Sequence, residues 1–533
     1  MARQKRHPEK PTETAPGQRS ERLVLSVTAL LCGAVVMVVE LLAARFLAPL
    51  FGTCIVVWTA VIAVALLALA AGYALGGRVA DRWPRPGTLF GVVLLAALTL
   101  ALSGLVRRDV LQAASGLGLR GGSLVAAGVL FGPTLLLLGM VSPLVVRLYT
   151  RGLEHLGQEV GRLYALSTAG SVAGTVLSGF WLIPWLGLSR LLACCAGLLA
   201  VLAAGGFLAH RRAGAASLAV ATLALAAVLG WQGGRHAPSQ GNGWRVLASR
   251  DGLYGQLKIA ESDAGERRLL IDGVNQGAVR WPAGTPASRY VHAIDTLITA
   301  AAPEASTVLV VGLGAGLMPS LLHERGRRVE VVEIDPMVAA LQQEFLQRGP
   351  RLYPVHVADA RRFVNTCDRV FDAIVLDAFA GDAVPGHLLS REAFGEFAAH
   401  LTPGGAIILN LVTVIGGGHT EALASVMQTM RTVFPQVRAF CSSRLDDPPD
   451  AVNVLILALP DDRPVDAAGE GRLATGANRW YVQMALANEL ALPTTAGAVL
   501  SDDHNPIDIL LTRSASAWRQ AIIGTENLDM LLR

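Results

Sequence analysis

The sequence predicts a multi-span α-helical membrane domain followed by a small β domain and a doubly wound, Rossmann-like α/β domain. Mean hydropathy of the 533-residue chain is +0.47, and only 16% of its residues are charged, against about a quarter in soluble domains. Apolar segments of membrane-spanning length fill most of the first 232 residues. Beyond residue 303, short apolar runs alternate with helix-length segments around a glycine-rich turn. That alternation is typical of a parallel sheet covered by helices.

Seven apolar segments are candidate membrane helices because each is long enough to cross a bilayer. They lie at 23–48, 54–77, 88–106, 123–147, 163–186, 189–209 and 213–232, which gives a membrane domain over 23–232. The polar, basic stretch 1–22 predicts a disordered tail, and residues 233–243, GGRHAPSQGNG, have linker composition.

Arginines in the short loops predict the orientation, because cytoplasmic loops carry an excess of positive charge. Loops on the N-terminal side hold Arg78, Arg82, Arg85, Arg147, Arg151, Arg162, Arg211 and Arg212, and the opposite loops hold Arg107, Arg108, Arg120 and Arg190. The expected protein is therefore a multi-pass protein of the plasma (inner) membrane with a cytoplasmic N-terminus. Seven spans place the C-terminal domain outside. One segment that does not span, or a further span near 107–122, would instead keep it inside, so its side stays open.

Two strands of a small antiparallel sheet are predicted at 254–261 and 268–272, within a small β domain over 244–300. Strands and helices then alternate through a domain over 301–533. They are strand 308–311, helix 316–325, strand 329–333, helix 336–347, strand 353–357, helix 360–366, strand 372–376, helix 390–401, strand 406–411, helix 419–434 and strand 452–458.

A glycine-rich turn joins the first two strands of this α/β domain. Gly312, Gly314 and Gly316 follow the apolar strand 308–311, and Glu333 ends the next strand. Such glycines let the backbone approach a ligand, and an acid about 20 residues on accepts ribose hydroxyls. Because the third glycine is not well placed over a pyrophosphate, the pattern favours an adenosine-type ligand such as S-adenosylmethionine over NAD. A merely structural tight turn is the alternative.

Four acidic residues follow successive strands: Glu333, Asp359, Asp377 and Asp382. Any one of them has an alternative role as a helix N-cap or a solvated loop acid. Together they predict a site at the carboxyl ends of the sheet. Asp377 and Asp382 would hold a cationic amine, and Asp377 would accept its proton as the nitrogen attacks an electrophilic carbon.

These motifs carry a family resemblance. LLIDGVNQ, Tyr290, VEID at 332–335, VADA at 358–361, LDAFAGDAVPGHLL and SDDHNP at 501–506 follow in the order of the spermidine/spermine synthase (polyamine aminopropyltransferase) family. The segment 244–513 resembles that family, and the apolar segments resemble the multi-span region of its membrane-fused members. The resemblance implies a class I methyltransferase-like fold for the α/β domain.

The resemblance also implies roles for individual residues. The cofactor side comprises Gly312, Gly314, Gly316, Glu333, Asp359, Ala360 and Gln276, with Glu333 on the ribose and Asp359 near the adenine. The catalytic residues are Asp377, as the base that activates the amine, and Asp382, as its helper. Tyr290, His387 and Gln256 are the candidate substrate-binding residues, although His387 is also explained as an exposed loop histidine.

The chain departs from the family pattern on the amine side. The soluble enzymes carry an aspartate inside the glycine loop, GGGDG, which holds the aminopropyl amine, whereas GLGAG places Ala315 there. Their tyrosine–glutamine pair becomes Tyr254–Gly255, with Gln256 one place late. The cofactor side is therefore retained better than the amine side.

The implied activity is transfer of an aminopropyl group from decarboxylated S-adenosylmethionine to a polyamine or other small amine, with no metal. Ala315 motivates a first alternative, an S-adenosylmethionine-dependent methyltransferase. Glu40 and Arg45 in the first span are an ion pair or a ligand site. Glu40 and the basic turn GGRVADRWPR at 76–85, which resembles a loop of major-facilitator transporters, motivate a second alternative, a non-catalytic membrane protein that binds or transports polyamines. Expected partners are the lipid bilayer and a possible second copy of the chain, and no nucleic acid, since the basic residues form no stripe. A cytosolic donor favours the cytoplasmic side for the C-terminal domain.

Overall fold

The computed structural model of the chain describes residues 16–150, 155–210, 213–234, 243–379, 381, 384–415, 420–443, 451–491, 497–512, 514, 517 and 519. Most of the predicted tail (1–15), most of the predicted linker (235–242), three loop arginines (Arg151, Arg211 and Arg212) and the candidate Asp382 lie outside these residues.

The N-terminal part is a bundle of helices. Its elements are α1 (Pro16–Phe51), α2 (Ile55–Arg82), α3 (Pro86–Ser115), α4 (Gly118–Leu130), α5 (Gly132–Tyr149), α6 (Leu156–Leu177), α7 (Ile183–Leu186), α8 (Leu188–Ala209) and α9 (Ala213–Gly234), with a π-helical turn Ser178–Leu182 between α6 and α7. Six helical stretches of the described chain are long and apolar enough to cross a membrane: 20–51, 55–82, 86–115, 132–149, 156–186 and 188–209. The seventh predicted span corresponds to α9, whose apolar part, 214–228, is shorter.

Small residues let neighbouring helices of the bundle pack closely. A Cβ added to Gly170 of α6 would lie 1.9 Å from the carbonyl oxygen of Leu30 in α1. One added to Gly72 of α2 would lie 2.2 Å from the carbonyl oxygen of Leu136 in α5. Close backbone approach of this kind is the usual basis of helix association in lipid, where apolar burial gives no net driving force.

A five-stranded antiparallel sheet follows the bundle. Its strands are β1 (Trp244–Asp251), β2 (Gln256–Ser262), β3 (Glu266–Ile271), β4 (Val274–Arg280) and β5 (Thr285–Pro286), paired in sequence order. The tight β3–β4 turn places Asp272 at φ 47° and Gly273 at φ 81°. The predicted strands correspond to β2 and β3, whereas β1, β4 and β5 were not expected.

The C-terminal part is a seven-stranded sheet with helices on both faces. Its elements are α10 (Tyr290–Ala301), β6 (Thr307–Val311), α11 (Leu317–Glu324), β7 (Arg328–Glu333), α12 (Pro336–Leu341), β8 (Val355–Val357), α13 (Ala360–Thr366), β9 (Phe371–Leu376), α14 (Arg391–Ala398), β10 (Leu401–Thr413), α15 (Glu421–Arg431), β11 (Gln436–Cys441), β12 (Val452–Leu459), α16 (Ala467–Leu473), α17 (Arg479–Ala487) and α18 (Ile507–Leu510). The order is β11-β12-β10-β9-β6-β7-β8.

Strands β8, β7, β6, β9 and β10 are parallel, and β12 and β11 add an antiparallel edge. Alternate residues of β6 face opposite layers, with Val308 and Val310 packed in the core beneath α10–α12, and Leu309 and Val311 in the core beneath α13–α15. The predicted doubly wound fold is therefore confirmed. Its parallel strands end together at one edge of the sheet, which positions the candidate site.

Candidate active site

A cavity of about 430 Å³ lies at the carboxyl ends of the parallel strands. It is lined by the loops after β6, β7, β8 and β9, by β10 and β12, and by residues 275–277 that follow the β3–β4 turn. Tyr254, from the turn between β1 and β2, completes the lining. The small antiparallel sheet therefore supplies one wall of a site whose other walls belong to the α/β domain.

The glycine loop after β6 lies against two other cavity-lining segments. Gly312 and Gly314 have φ values of 98° and 50°, which disfavour any side chain. A Cβ on Gly312 would lie 2.3 Å from the carbonyl oxygen of Asp377, and one on Gly314 would lie 2.8 Å from that of Gln276. These glycines, with Gly316 at φ 76°, therefore allow the loop to pack between the end of β9 and the small sheet.

Glu333 lies at the end of β7 with only 9% of its surface exposed. Its Oε2 accepts a hydrogen bond from the N–H of Leu313 at 3.0 Å, and its Oε1 accepts one from the N–H of Asp335 at 2.9 Å. Burial raises the pKa of Glu333, and these backbone donors partly offset that effect. Each oxygen keeps a further lone pair, so the carboxylate is able to accept hydroxyl groups of a ligand.

Asp359 both caps a helix and lines the cavity, the two roles that the sequence left open. Its Oδ1 accepts a hydrogen bond from the N–H of Arg362 at 3.0 Å, which caps α13. Its Oδ2 lies 3.0 Å from Nε2 of His387. Burial alone would raise the pKa of Asp359, but the hydrogen bonds from Arg362 and His387 lower it below its usual value. Asp359, His387 and the adjacent Ala360 all line the cavity.

Asp377 follows β9 and is held by two side-chain donors. Its Oδ1 accepts a hydrogen bond from Nδ2 of Asn410 at 2.8 Å, and its Oδ2 accepts one from the hydroxyl of Tyr290 at 3.0 Å. Nδ2 of Asn453 in turn donates to Oδ1 of Asn410 at 2.9 Å. Burial raises the pKa of Asp377 to about 6, although both donors act in the opposite direction. The carboxylate is thus fixed in place and is ionised at neutral pH.

Tyr290 opens α10 and remains a proton donor. Burial, followed by the charge of Asp377, raises the pKa of its hydroxyl well above the usual value. A phenol that does not ionise keeps donating to the carboxylate at any physiological pH. Tyr290 therefore orients Asp377 instead of competing with it for a proton.

Of the remaining candidates that the structure describes, Gln276 lines the cavity and Gln256 does not. Gln276 lines the cavity, and its Nε2 donates to the carbonyl oxygen of Gly381 at 2.9 Å. Gln256 is not among the described lining residues, and its Nε2 instead donates to Oδ1 of Asp251 at 3.1 Å. Tyr254, two residues earlier, is the residue of that turn that reaches the cavity. Asp382 lies outside the described residues.

Sequence reasoning missed Asn410 and Asn453. Asn410 interrupts the apolar run of β10, fully buried, and this break in an otherwise buried strand was a usable signal. Asn453 lies in β12, whose antiparallel pairing with β10 brings it beside Asn410. No local sequence feature predicts that pairing.

Ala315 occupies a buried position in the glycine loop, with 3% of its surface exposed. A Cβ on Gly277 would lie 2.8 Å from the Cβ of Ala315, so the loop packs directly on β4 there. The methyl group supplies neither charge nor hydrogen bond to the cavity. The carboxylates among the described lining residues are those of Glu333, Asp335, Asp359 and Asp377.

The chain is similar to several known proteins. Residues 288–443 match the family model for the spermine/spermidine synthase domain. A polyamine aminopropyltransferase of Vibrio vulnificus is 33% identical over 20% of this chain and 38% of its own length. One of Corynebacterium efficiens is 28% identical over 75% of this chain and 79% of its own. An N-terminal histidine N-methyltransferase of Emericella nidulans is 27% identical over 40% of this chain and 42% of its own.

The matched region holds most of the site described above, from Tyr290 through Asp377 to Asn410. The chain spans less than two thirds of the Vibrio and Emericella proteins. Residues 288–443 therefore form a spermine/spermidine synthase domain, in a chain whose N-terminal helices are long and apolar enough to cross a membrane.

Proposed function

We propose that the chain is a polyamine aminopropyltransferase. It moves the aminopropyl group of decarboxylated S-adenosylmethionine to a polyamine or other small amine and releases methylthioadenosine. The observation that carries this proposal is the buried Asp377 carboxylate, fixed by Tyr290 and Asn410, in the same cavity as Glu333. The family match and the aminopropyltransferase relatives support the same activity.

Glu333 and the glycine loop would hold the adenosine end of the donor. The ribose hydroxyls would donate to the Glu333 oxygens, whose positions the N–H groups of Leu313 and Asp335 fix. Gly312, Gly314 and Gly316 would let the backbone approach the ribose. Asp359 and Ala360 would border the adenine, with Gln276 closing that side. These assignments fit a nucleoside, because the glycine loop after β6 and the acid at the end of β7 lie at the same edge of the sheet.

Asp377 would bind the amine and take its proton. An amine enters as an ammonium ion and cannot attack until it loses a proton. Because Asp377 is buried, its pKa of about 6 is closer to that of an amine than an exposed carboxyl would be, and proton transfer costs less. The nitrogen then forms a bond to the propyl carbon next to sulfur as the carbon–sulfur bond breaks, and the electron pair stays on sulfur.

The other candidates complete the proposal on the amine side. Tyr290 would orient Asp377, and Asp382 would assist it, with His387 and Gln256 as further substrate contacts. We also propose that the helix bundle lies in the plasma (inner) membrane with a cytoplasmic N-terminus. A homodimer is compatible with this proposal and stays a prediction.

Activity of the purified full-length chain tests the function. Decarboxylated S-adenosylmethionine is supplied with putrescine, cadaverine or spermidine, and methylthioadenosine and the alkylated amine are quantified by mass spectrometry. Both products are expected in equal amounts, and Asp377→Asn should abolish them. Donor binding without either product for any amine would overturn the proposal in favour of a non-catalytic amine-binding protein.

Ala315 supports a second candidate, an S-adenosylmethionine-dependent methyltransferase, because a methyl group there carries no charge to repel the carboxylate of the intact cofactor. The methyltransferase among the relatives is consistent with this alternative. Calorimetric titration with the carboxylated and decarboxylated molecules separates the two functions. Tighter binding of the carboxylated form, with S-adenosylhomocysteine as product, would establish the alternative.

A further inference from the structure

Arg45, near the end of α1, reaches from the helix bundle to the small antiparallel sheet. Its Nη2 donates to the carbonyl oxygen of Gly252 at 3.3 Å and to that of Leu253. Both carbonyls belong to the β1–β2 turn, Gly252–Gly255, which the N–H of Gly252 closes by donating to the carbonyl oxygen of Gly255 at 2.8 Å. Helix α1 thus holds a turn that lies 207 residues away in sequence.

The same turn forms part of the cavity. It carries Tyr254, which lines the cavity and keeps 50% of its surface exposed. A Cβ on Gly252 would lie 3.3 Å from Oδ2 of Asp335, whose N–H donates to Glu333. The turn is therefore placed between the end of α1 and the cavity residues that would hold the donor.

A second arginine ties the end of α1 to the neighbouring turn. Arg519 is 4% exposed, and its Nη1 donates to the carbonyl oxygens of Ala48 at 2.6 Å, Pro49 at 3.1 Å and Asp272 at 3.1 Å. Oδ1 of Asp272 accepts a hydrogen bond from the N–H of Gln256 at 2.9 Å. The β1–β2 and β3–β4 turns therefore form one unit that rests on the end of α1.

We propose that Arg45 is a positioning residue of the active site. It holds the Gly252–Gly255 turn so that Tyr254 closes one wall of the cavity, and ligand binding thereby depends on the helix bundle. Hydrogen bonds from a charged donor are stronger than those between neutral groups, so the turn should open more readily once Arg45 is removed. The kinetic part of this inference rests on the proposed function, whereas its structural part does not.

Hydrogen–deuterium exchange and kinetics on the full-length chain in detergent test the inference. Arg45→Ala should speed exchange of the 252–256 amides and raise the donor KM about tenfold, with kcat within about twofold. Arg45→Lys, which keeps a cationic donor, should restore part of the affinity. Arg78→Ala, at an exposed position on α2 away from the small sheet, is the matched control and should behave as the unchanged chain.

A double-mutant cycle with Tyr254→Ala separates positioning from a general loss of stability. If Arg45 acts through Tyr254, Arg45→Ala should have little further effect on donor affinity in the Tyr254→Ala background. Additive effects, or unchanged exchange at 252–256 in Arg45→Ala, would overturn the inference. Donor affinity is measured by calorimetry, which does not require turnover. A chain that binds the donor without turnover would contradict the proposed function, and the effect of Arg45 on donor affinity would still be measurable. A chain that binds no adenosine ligand would overturn both.

The arrangement of the bundle carries a second inference, about the two sides of the membrane. Arg22, near the start of α1, forms a 2.8 Å ion pair with Glu159 at the start of α6 and stacks 5.0 Å from the ring centre of Tyr149 at the end of α5. These helix termini therefore share one end of the bundle. The turn between α2 and α3, with Arg82 and Arg85, belongs to the same end by connectivity.

The small antiparallel sheet contacts the opposite end. Arg45 and Pro49 lie near the end of α1, and the N–H of Leu188, the first residue of α8, donates to Oδ2 of Asp251 in β1 at 3.1 Å. The other end holds the described loop arginines Arg78, Arg82, Arg85, Arg147 and Arg162, and the charge bias assigns that end to the cytoplasm. We infer that the synthase domain faces the non-cytoplasmic side, which makes α9 a seventh crossing although its apolar part, 214–228, is short. This placement is contrary to the expectation from a cytosolic donor. The reaction proposed above would then need a step that supplies the donor to that side.

Cysteine accessibility in intact cells tests this placement. Leu473→Cys, on α16 at a position 71% exposed, should react with a membrane-impermeant maleimide, above the labelling of the unchanged chain. Asp81→Cys, exposed at the arginine-rich end, should react only after the cells are permeabilised. The reverse pattern would overturn the placement and leave the proposed chemistry intact.

Discussion

Tyr290 and Asp377 join the start of α10 to the end of β9 within the cavity. The Tyr290 hydroxyl, on the first residue of α10, donates at 3.0 Å to Oδ2 of Asp377, directly after β9. Asn410 occupies the other oxygen of that carboxylate. Asp377 therefore has a fixed orientation before any amine arrives, and its basicity is set by burial and by two donors that are removable one at a time.

Replacing Asp377 by Asn should remove the proton acceptor and lower kcat by about 10²–10⁴-fold, the usual contribution of a general base. In the unchanged chain, kcat/KM should rise with pH through about 6, as the Asp377 carboxyl, whose pKa burial raises, becomes ionised. The pH profile and the variant are measured by methylthioadenosine release. Asp462→Asn, at an exposed position, is the control. Turnover by Asp377→Asn equal to that of the control would contradict the assignment of the base.

The same substitution should stabilise the folded chain at high pH. Because the folded-state pKa of Asp377 lies above its unfolded value, its contribution to stability is present at low pH and lost as pH rises through about 6. The difference of about two pKa units corresponds to about 3 kcal/mol as an upper bound. Asp377→Asn should therefore melt at a higher temperature than the unchanged chain at pH 8, and the difference should shrink towards pH 4. A difference that is independent of pH would argue against an ionised, buried Asp377.

Tyr290→Phe tests the orienting hydrogen bond. The Tyr290 donor lowers the pKa of Asp377 against the effect of burial, so its loss should move the acidic limb of the pH–rate profile to higher pH and reduce kcat about tenfold. Tyr353→Phe is the matched control, because Tyr353 is also buried and its hydroxyl lies 3.3 Å from Ser320 outside the cavity lining. A shift towards lower pH would have the wrong sign for this relationship.

Two predicted site residues that line the cavity, Glu333 and Asp377, share one property: they lie at the ends of parallel strands. Glu333 and Asp377 each close an apolar run, and the parallel sheet brings all such ends to one edge. Asn453 was not predicted, because its position beside Asn410 depends on which strand pairs with β10. The link between Arg45 and Tyr254 was not predicted, because it depends on packing between parts of the chain 207 residues apart. Gln256 was proposed because the family pattern has a tyrosine–glutamine pair there, but it stands one place late, and its amide donates to Asp251 instead.

Glu333→Gln should weaken donor binding more than it affects the chemical step. One carboxylate oxygen becomes an amide that cannot accept a ribose hydroxyl and that faces the N–H of Leu313 or of Asp335 instead of accepting from it. We expect the dissociation constant of methylthioadenosine, measured by calorimetry, to rise about 10- to 100-fold, the equivalent of about 1.5–3 kcal/mol. Glu330→Gln, on the same strand but paired with His356 and Arg369, should leave the constant unchanged. Equal losses in the two variants would indicate a general effect on β7.

Ala315→Asp should change which donor the site prefers. Ala315 is among the residues that line the cavity, and the described lining carboxylates are those of Glu333, Asp335, Asp359 and Asp377. A carboxylate at 315 would attract the free ammonium of decarboxylated S-adenosylmethionine and repel the carboxylate of the intact cofactor. The affinity ratio of the decarboxylated to the carboxylated molecule should therefore rise about tenfold or more, which corresponds to about 1.4 kcal/mol. Ala315→Asn, of similar volume and without charge, controls for crowding against Gly277. If the Asn variant shifted the ratio as much as the Asp variant, volume and not charge would determine the preference at this position.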